Sequence, residues 1–212
     1  MLSKKEQEIF EGLLSRYPVL RPCHTDLQDA YLTLRECYEH GGKLLICGNG
    51  GSAADADHIS AELLKAFRCK RPIPTDIAAK LPKNIAQTLQ GSLPAIPLTD
   101  LIAIQTAFAN DCQPELGFAQ LVLGLGNQND VLLAISTSGN SKSVNAAAVV
   151  ARAKNMKVVG LSGKTGGQLL GNCDVCVCAP ECETYKIQEL HLPIYHAWCA
   201  MLESFFFDST SK

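Results

Sequence analysis

The chain predicts an α/β fold, doubly wound around a parallel sheet. Three observations carry that prediction. Five short runs are continuously apolar, they are bounded by glycine, proline or charged residues, and stretches of helical spacing separate them. Residues 4–16 carry a short helical pattern that ends near Pro18, and Pro22 keeps the connection extended. From about His24 to His40, Leu27, Ala30, Tyr31, Leu34 and Tyr38 recur at the spacing of one helix face, and Gly41 and Gly42 end it. The run KLLICG follows, too short for a helix, as expected of a buried parallel strand. The same kind of run recurs as LPAIPLT, DVLLAIS, KVVGLSG and CDVCVCA, with helical stretches near 53–66, 100–109, 141–154 and 184–206.

Two segments stand outside this alternation. Residues 1–40 precede the first strand and are expected to form N-terminal helices of the same domain, packed on a neighbouring subunit or across the sheet edge. The remainder, 41–212, carries the sheet. Residues 68–92 hold Pro72, Pro74 and Pro82 in a mixed polar composition, which reads as an excursion or flexible lid.

Composition narrows the function classes. A length of 212 residues suits one large domain. Lys and Arg total 19 against 21 Asp and Glu, a net charge of −2 without the basic excess of a nucleic-acid binder. With 47% hydrophobic and 19% charged residues the chain is globular in composition. No apolar run approaches the roughly 18–20 residues that span a bilayer. Charges occupy the N-terminus where a signal peptide needs an apolar stretch, so a soluble cytoplasmic protein is expected, with no membrane partner. Ten cysteines in such a compartment are expected to be free thiols. Of the cluster Cys173, Cys176, Cys178 and Cys182, only Cys173/Cys176 has C-x-x-C spacing, and the segment reads as a strand with cysteine in small buried positions.

Ligands of an open parallel sheet bind beyond the carboxyl ends of its strands. Two loops there have unusual composition: Gly48-Asn49-Gly50-Gly51-Ser52 and Ser136-Thr137-Ser138-Gly139-Asn140-Ser141, each leading into a helix. Small residues let backbone N–H groups approach an anion, hydroxyls add donors, and the helix N-terminus adds partial positive charge. Neither loop has the phosphate-loop or dinucleotide pattern, so no nucleotide cofactor is expected and a phosphate monoester suits the hydroxyl loop. A protic set accompanies them. His58 and Glu62 are one helical turn apart, and the last helix carries Gln188, Glu189, His191 and His196 in QELHLPIYH, where Gln188 and His196 can converge. His191 is assigned to structure.

GNGGSAADADHISAEL, AISTSGNS and QELHLPIYH, in this order, resemble the sugar isomerase (SIS) domain family, and within it the phosphoheptose isomerase branch. The likeness runs from about residue 24 to 206. It implies a flavodoxin-like five-stranded sandwich, a homotetramer with sites at subunit interfaces, and a phosphosugar substrate. The resemblance assigns Glu62 and His196 to catalysis, and His58, Glu62, Gln188 and His196 to a Zn²⁺ ion. It assigns Asn49, Gly50, Ser52, Asp111 and Gln188 to substrate, and Ser136, Thr137, Ser138 and Ser141 to phosphate. The chain departs from some members at Ala66, where they have arginine, and at Tyr185, where they have aspartate; Lys65 and Arg68 are the cations near the first departure.

The reaction implied is aldose–ketose isomerisation of sedoheptulose 7-phosphate to D-glycero-D-manno-heptose 7-phosphate through an enediolate. It needs a carboxylate within reach of two adjacent carbons, Glu62, and an acid/base partner for their oxygens, His196. Two other readings compete. One is a non-catalytic SIS module that binds a phosphosugar or regulates replication. The other is a phosphosugar lyase or etherase, in which a leaving group departs. The presence of both Glu62 and His196 favours the isomerase over the first.

Overall fold

The computed structural model describes residues 1–208. Helix α1 spans Lys4–Arg16, and Ser3 caps it in a reciprocal box with Glu6. After a 3₁₀ turn at Pro18–Cys23 comes α2, His24–Glu39. Strand β1, Leu44–Cys47, leads into α3, Gly51–Leu64. Short helices α4 (Thr75–Ala78) and α5 (Lys83–Thr88) precede β2, Ala95–Pro97. Then follow α6 (Ile102–Asp111), α7 (Gly117–Leu125), β3 (Val131–Ser136), α8 (Lys142–Ala153), β4 (Lys157–Ser162), β5 (Val175–Cys178) and α9 (Thr184–Phe207).

The five strands form one parallel sheet in the order β2-β1-β3-β4-β5. Alternate side chains of each strand feed two separate cores, because successive strand residues point to opposite faces. Leu44, Ile46, Leu133, Ile135, Val159 and Leu161 pack with α1, α2, α3 and α9. Leu45, Cys47, Leu132, Ala134 and Val158 pack with α7 and α8. Burial on both faces explains why the strands read as continuous apolar runs.

Helices α1 and α2 lie within the first core, where Phe10, Leu27 and Tyr31 are fully buried. The apolar stripe of α2 is spent on the sheet at its edge strand β5, and that of α1 on α9. The helix α7 has no counterpart among the expected elements. Residues 68–92 carry the exposed α4 and α5, yet the stretch is pinned at its start. Arg71 is 2% exposed, and its carbonyl accepts the Gly91 N–H at 2.8 Å. All ten cysteines are free thiols. Among the described residues no helix is long and apolar enough to cross a membrane.

Candidate active site

Helices α3 and α9 run side by side in the same direction, and three contacts fix their register. At the start, a Cβ on Gly51 would lie 2.4 Å from Nε2 of Gln188, so glycine leaves room for that amide to cross the first turn of α3. Midway, Nε2 of His58 and Nε2 of His196 face each other at 3.3 Å. At the end, Arg71 joins Glu203 of α9 and donates to the Leu63 and Glu62 carbonyls at 2.7 and 2.8 Å. Gln188 and His196 are thereby brought to the same face of α3 as His58 and Glu62.

The middle contact is the protic centre. His58 Nε2 lies 3.4 Å from Glu62 Oε1, the reach of side chains one turn apart. Glu62 Oε2 is buried without a hydrogen-bond partner, and Lys65 Nζ stands 3.9 Å away, in ion-pair range only. Burial, with help from His58 and Arg16 and against Glu62, holds the His196 imidazole below its ordinary range. The Phe67 ring lies 5.6 Å from it, centroid to centroid. Two residues that sequence reasoning did not single out complete the centre. The Tyr195 hydroxyl reaches Oδ1 of Asp55 at 3.2 Å and Nδ1 of His58 at 3.1 Å. Burial holds His191 down at about 4, and its ring nitrogen meets the Ser162 carbonyl at 3.2 Å.

The two loops meet through Asn49, whose amide donates to the hydroxyls of Ser141 and Ser143, both at 3.0 Å. Gly50 is exposed and Ser52 buried. Ser136 is buried, and its carbonyl accepts the Ser162 hydroxyl at 2.6 Å. Thr137 is half-buried, and Ser138 is exposed with Oγ accepting the Asn140 N–H at 3.1 Å. Gly139 has φ +66, and a Cβ there would stand 1.9 Å from the Gly166 carbonyl oxygen. The hydroxyl loop is thus seated on the turn after β4. Asp111 is exposed at the end of α6, where it accepts from the Asn110 amide at 2.8 Å.

Two clefts border these residues, with Asn49 and Ser141 lining one and His196 the other, while His58, Glu62 and Gln188 line neither. One of about 520 Å³ is lined by Asn49, Gln105, Ser141 and Lys142. The other, about 810 Å³, lies between α1 and α9 and is lined by His196, Arg16, Phe67 and Arg68. Asp111 lines neither.

Among the described residues no three His, Cys, Asp or Glu side chains are gathered as a ready-made metal site. The pairs nevertheless have suitable edges. Donors bonded at about 2.0–2.1 Å to a tetrahedral zinc ion lie about 3.3–3.4 Å apart. The His58–His196 and His58–Glu62 separations are 3.3 and 3.4 Å. The unpartnered Glu62 oxygen is a further free donor, so donor chemistry fits an ion even though the set is not closed. At the other candidate, a hydrogen bond that Cys176 donates to Cys173, together with burial, pushes the Cys176 thiol up to about 12, away from the thiolate that metals bind.

Comparison with known proteins gives a consistent result. The SIS domain family model matches residues 19–163. A phosphoheptose isomerase of Roseiflexus sp. is 42% identical over 173 residues, covering 82% of this chain and 78% of the relative. One of Nitratiruptor sp. is 36% identical over 206 residues, covering 97% and 100%. Among solved structures, a phosphoheptose isomerase from Francisella tularensis superposes with a TM-score of 0.75 at 31% identity, over 94% of this chain and 97% of that one. That of Neisseria gonorrhoeae gives 0.69 at 34% identity, over 84% and 86%. With the SIS sheet, its two anion-suited loops and the Glu62–His58–His196 centre in place, this chain belongs to the SIS domain family as one of its phosphoheptose isomerases.

Proposed function

We propose that this protein converts sedoheptulose 7-phosphate to D-glycero-D-manno-heptose 7-phosphate in the cytoplasm. The observation that carries the reading is the buried, unpartnered Glu62 oxygen beside the facing imidazoles of His58 and His196. A carboxylate without a hydrogen-bond partner is a base not already engaged. Glu62 takes the proton from C1 of the ketose, leaving the enediolate, and returns it to C2. His196 moves the accompanying proton from the C1 oxygen to the C2 oxygen. An imidazole held below its ordinary range is neutral near pH 7, as that relay requires. The hydroxyl loop of Ser136, Thr137, Ser138 and Ser141, with Asn49, holds the remote phosphate and so orients the reacting carbons.

A Zn²⁺ ion held by His58, Glu62, Gln188 and His196 would supply Lewis-acid polarisation of the substrate oxygens. Asn49, Gly50, Ser52, Asp111 and Gln188 are the proposed contacts to the sugar. A homotetramer is proposed because Asn49 and Ser141 line one cleft and His196 another, and a neighbouring subunit can join them. Exposed Ile102 and Leu123, 68% and 54% accessible, are apolar surface for such contacts. Incubation with sedoheptulose 7-phosphate, followed by NMR, tests the reading. A new heptose phosphate of unchanged mass supports it, loss of a leaving group points to a lyase, and bound but unaltered sugar points to a non-catalytic module.

A further inference from the structure

We infer that Tyr195 and Asp55 are positioning residues that fix which nitrogen of His58 carries its proton. Asp55 and His58 are three residues apart on α3, on one helical face, and Tyr195 comes down on both from α9. Its hydroxyl lies 3.2 Å from Asp55 Oδ1 and 3.1 Å from His58 Nδ1. The phenol has one proton to give. An aspartate carboxylate accepts only, so that proton goes to Asp55, and the phenol oxygen is left to accept from His58. The His58 Nδ1 therefore holds a ring proton, and in the neutral imidazole Nε2 presents a bare lone pair.

That lone pair points into the protic centre, toward His196 Nε2 at 3.3 Å and Glu62 Oε1 at 3.4 Å. A bare nitrogen beside a carboxylate oxygen is repulsive unless a proton or a metal cation lies between them, and the second case is the arrangement a ligand imidazole needs. The packing is sized for this role. Tyr195 is 1% exposed, and its ring meets the His58 ring edge-on at 5.5 Å, so the hydroxyl cannot swing away. Asp55 Oδ2 is buried with no hydrogen-bond partner, so this carboxylate's observed side-chain bond is the one to Tyr195. Hydrogen-bonded partners of this kind set ring orientation and ligand basicity, and their loss typically costs about 10–100-fold in activity.

The inference rests on the reading of His58 as an electron-pair donor, and its test reads the proton directly. Long-range ¹H–¹⁵N correlation on chelator-treated protein at about pH 8, where an ordinary imidazole is neutral, locates the ring proton of His58, assigned by its loss in His58→Gln. The wild type is expected to carry it on Nδ1. Tyr195→Phe keeps the buried ring and removes only the hydroxyl, so the proton is expected to move predominantly to Nε2. The same variant is expected to lose about tenfold or more in kcat with KM within about twofold. Asp55→Asn, which still accepts from the phenol, keeps the proton on Nδ1, whereas Asp55→Ala releases it. Asp55→Ala also serves if Tyr195→Phe fails to fold. A wild-type proton on Nε2, or one that stays on Nδ1 in both Tyr195→Phe and Asp55→Ala, overturns the inference. An unchanged kcat after the proton has moved removes the positioning role. Absence of isomerase activity in the wild type would instead count against the proposed function, leaving the location of the proton decided on its own.

Discussion

Arg71 Nε and Glu203 Oε1 meet at 2.7 Å with both side chains sealed from water, at 0% and 2% exposure. The pair is fully engaged. Glu203 also accepts the N–H groups of Phe67, Arg68 and Cys69, at 2.8, 2.7 and 3.1 Å. Arg71 in turn closes the last carbonyls of α3, including that of Glu62. Removing the guanidinium strands a buried carboxylate, a loss on the order of 3–5 kcal/mol. Arg71→Met is expected to lower the urea-unfolding free energy by that amount and to reduce kcat, because the backbone under Glu62 loses its tether. A loss below about 1 kcal/mol would show that the pair contributes little beyond its desolvation cost.

Glu62→Gln keeps side-chain volume and removes the proposed base. Turnover is expected to vanish while phosphosugar affinity stays within about tenfold, since ground-state contacts are retained. Steady-state kinetics with calorimetric binding checks this. Retention of more than a few per cent of wild-type turnover would sink the assignment of Glu62 as the base.

The hydroxyl loop is expected to read phosphate rather than sugar. Ser138 Oγ already accepts from the Asn140 N–H, which leaves its own proton to donate. Ser138→Ala should weaken a phosphorylated ligand by roughly 1–3 kcal/mol, the scale for a hydrogen bond to a charged group. The unphosphorylated sugar should be almost unaffected. Equal calorimetric losses for both ligands would refute the loop's role.

About one divalent metal per chain is expected, removable by chelation without unfolding, unlike a structural zinc site. His58→Ala/His196→Ala should lose it and Cys173→Ser/Cys176→Ser should keep it. Metal analysis giving the opposite pattern would move the ion to the β5 thiols and leave Glu62 and His196 to act without it.

His191 makes a prediction about acid stability. Its imidazole is held at about 4 by burial, against an ordinary 6.5. Between those values the unfolded chain binds one proton more than the folded one, so stability falls as pH drops from about 6.5 to about 4 and this contribution then levels off. The full effect is about 3 kcal/mol. Relative to wild type, His191→Gln should flatten this part of the pH–stability curve in urea melts at pH 7 and pH 5. Parallel curves for the two proteins would count against it.

The strands were legible because burial on both faces writes itself as an unbroken apolar run. The two loops stood out because each gathers glycine and small hydroxyl residues where a strand runs into a helix, and Asn49 brings them together. Helix α7 was not, since GFAQLVLGL is apolar around most of its circumference and begins and nearly ends on glycine, leaving neither a stripe nor a stop signal. Arg71 sits among prolines and charges, where a solvated side chain is the natural reading, and its partner lies 132 residues further on. Tyr195 reads as one more apolar position of α9. Only the parallel crossing of α3 and α9 turns its hydroxyl toward Asp55 and His58.

The order β2-β1-β3-β4-β5 also bears on how the site comes into being. β1 and β3 are neighbours in the sheet, yet β2, α6 and α7 intervene in the chain, so the two loops that Asn49 ties together are made far apart in time. The second site partner of α3 arrives later still, on the last helix. Each of these contacts closes a long loop before it is rewarded, which slows folding. A nascent chain that has released β1 and α3 from the ribosome carries Glu62, His58 and the glycine loop, with no hydroxyl loop and no His196 to oppose them. Recovery of activity on refolding therefore requires α9 docked on α3 as well as a formed sheet.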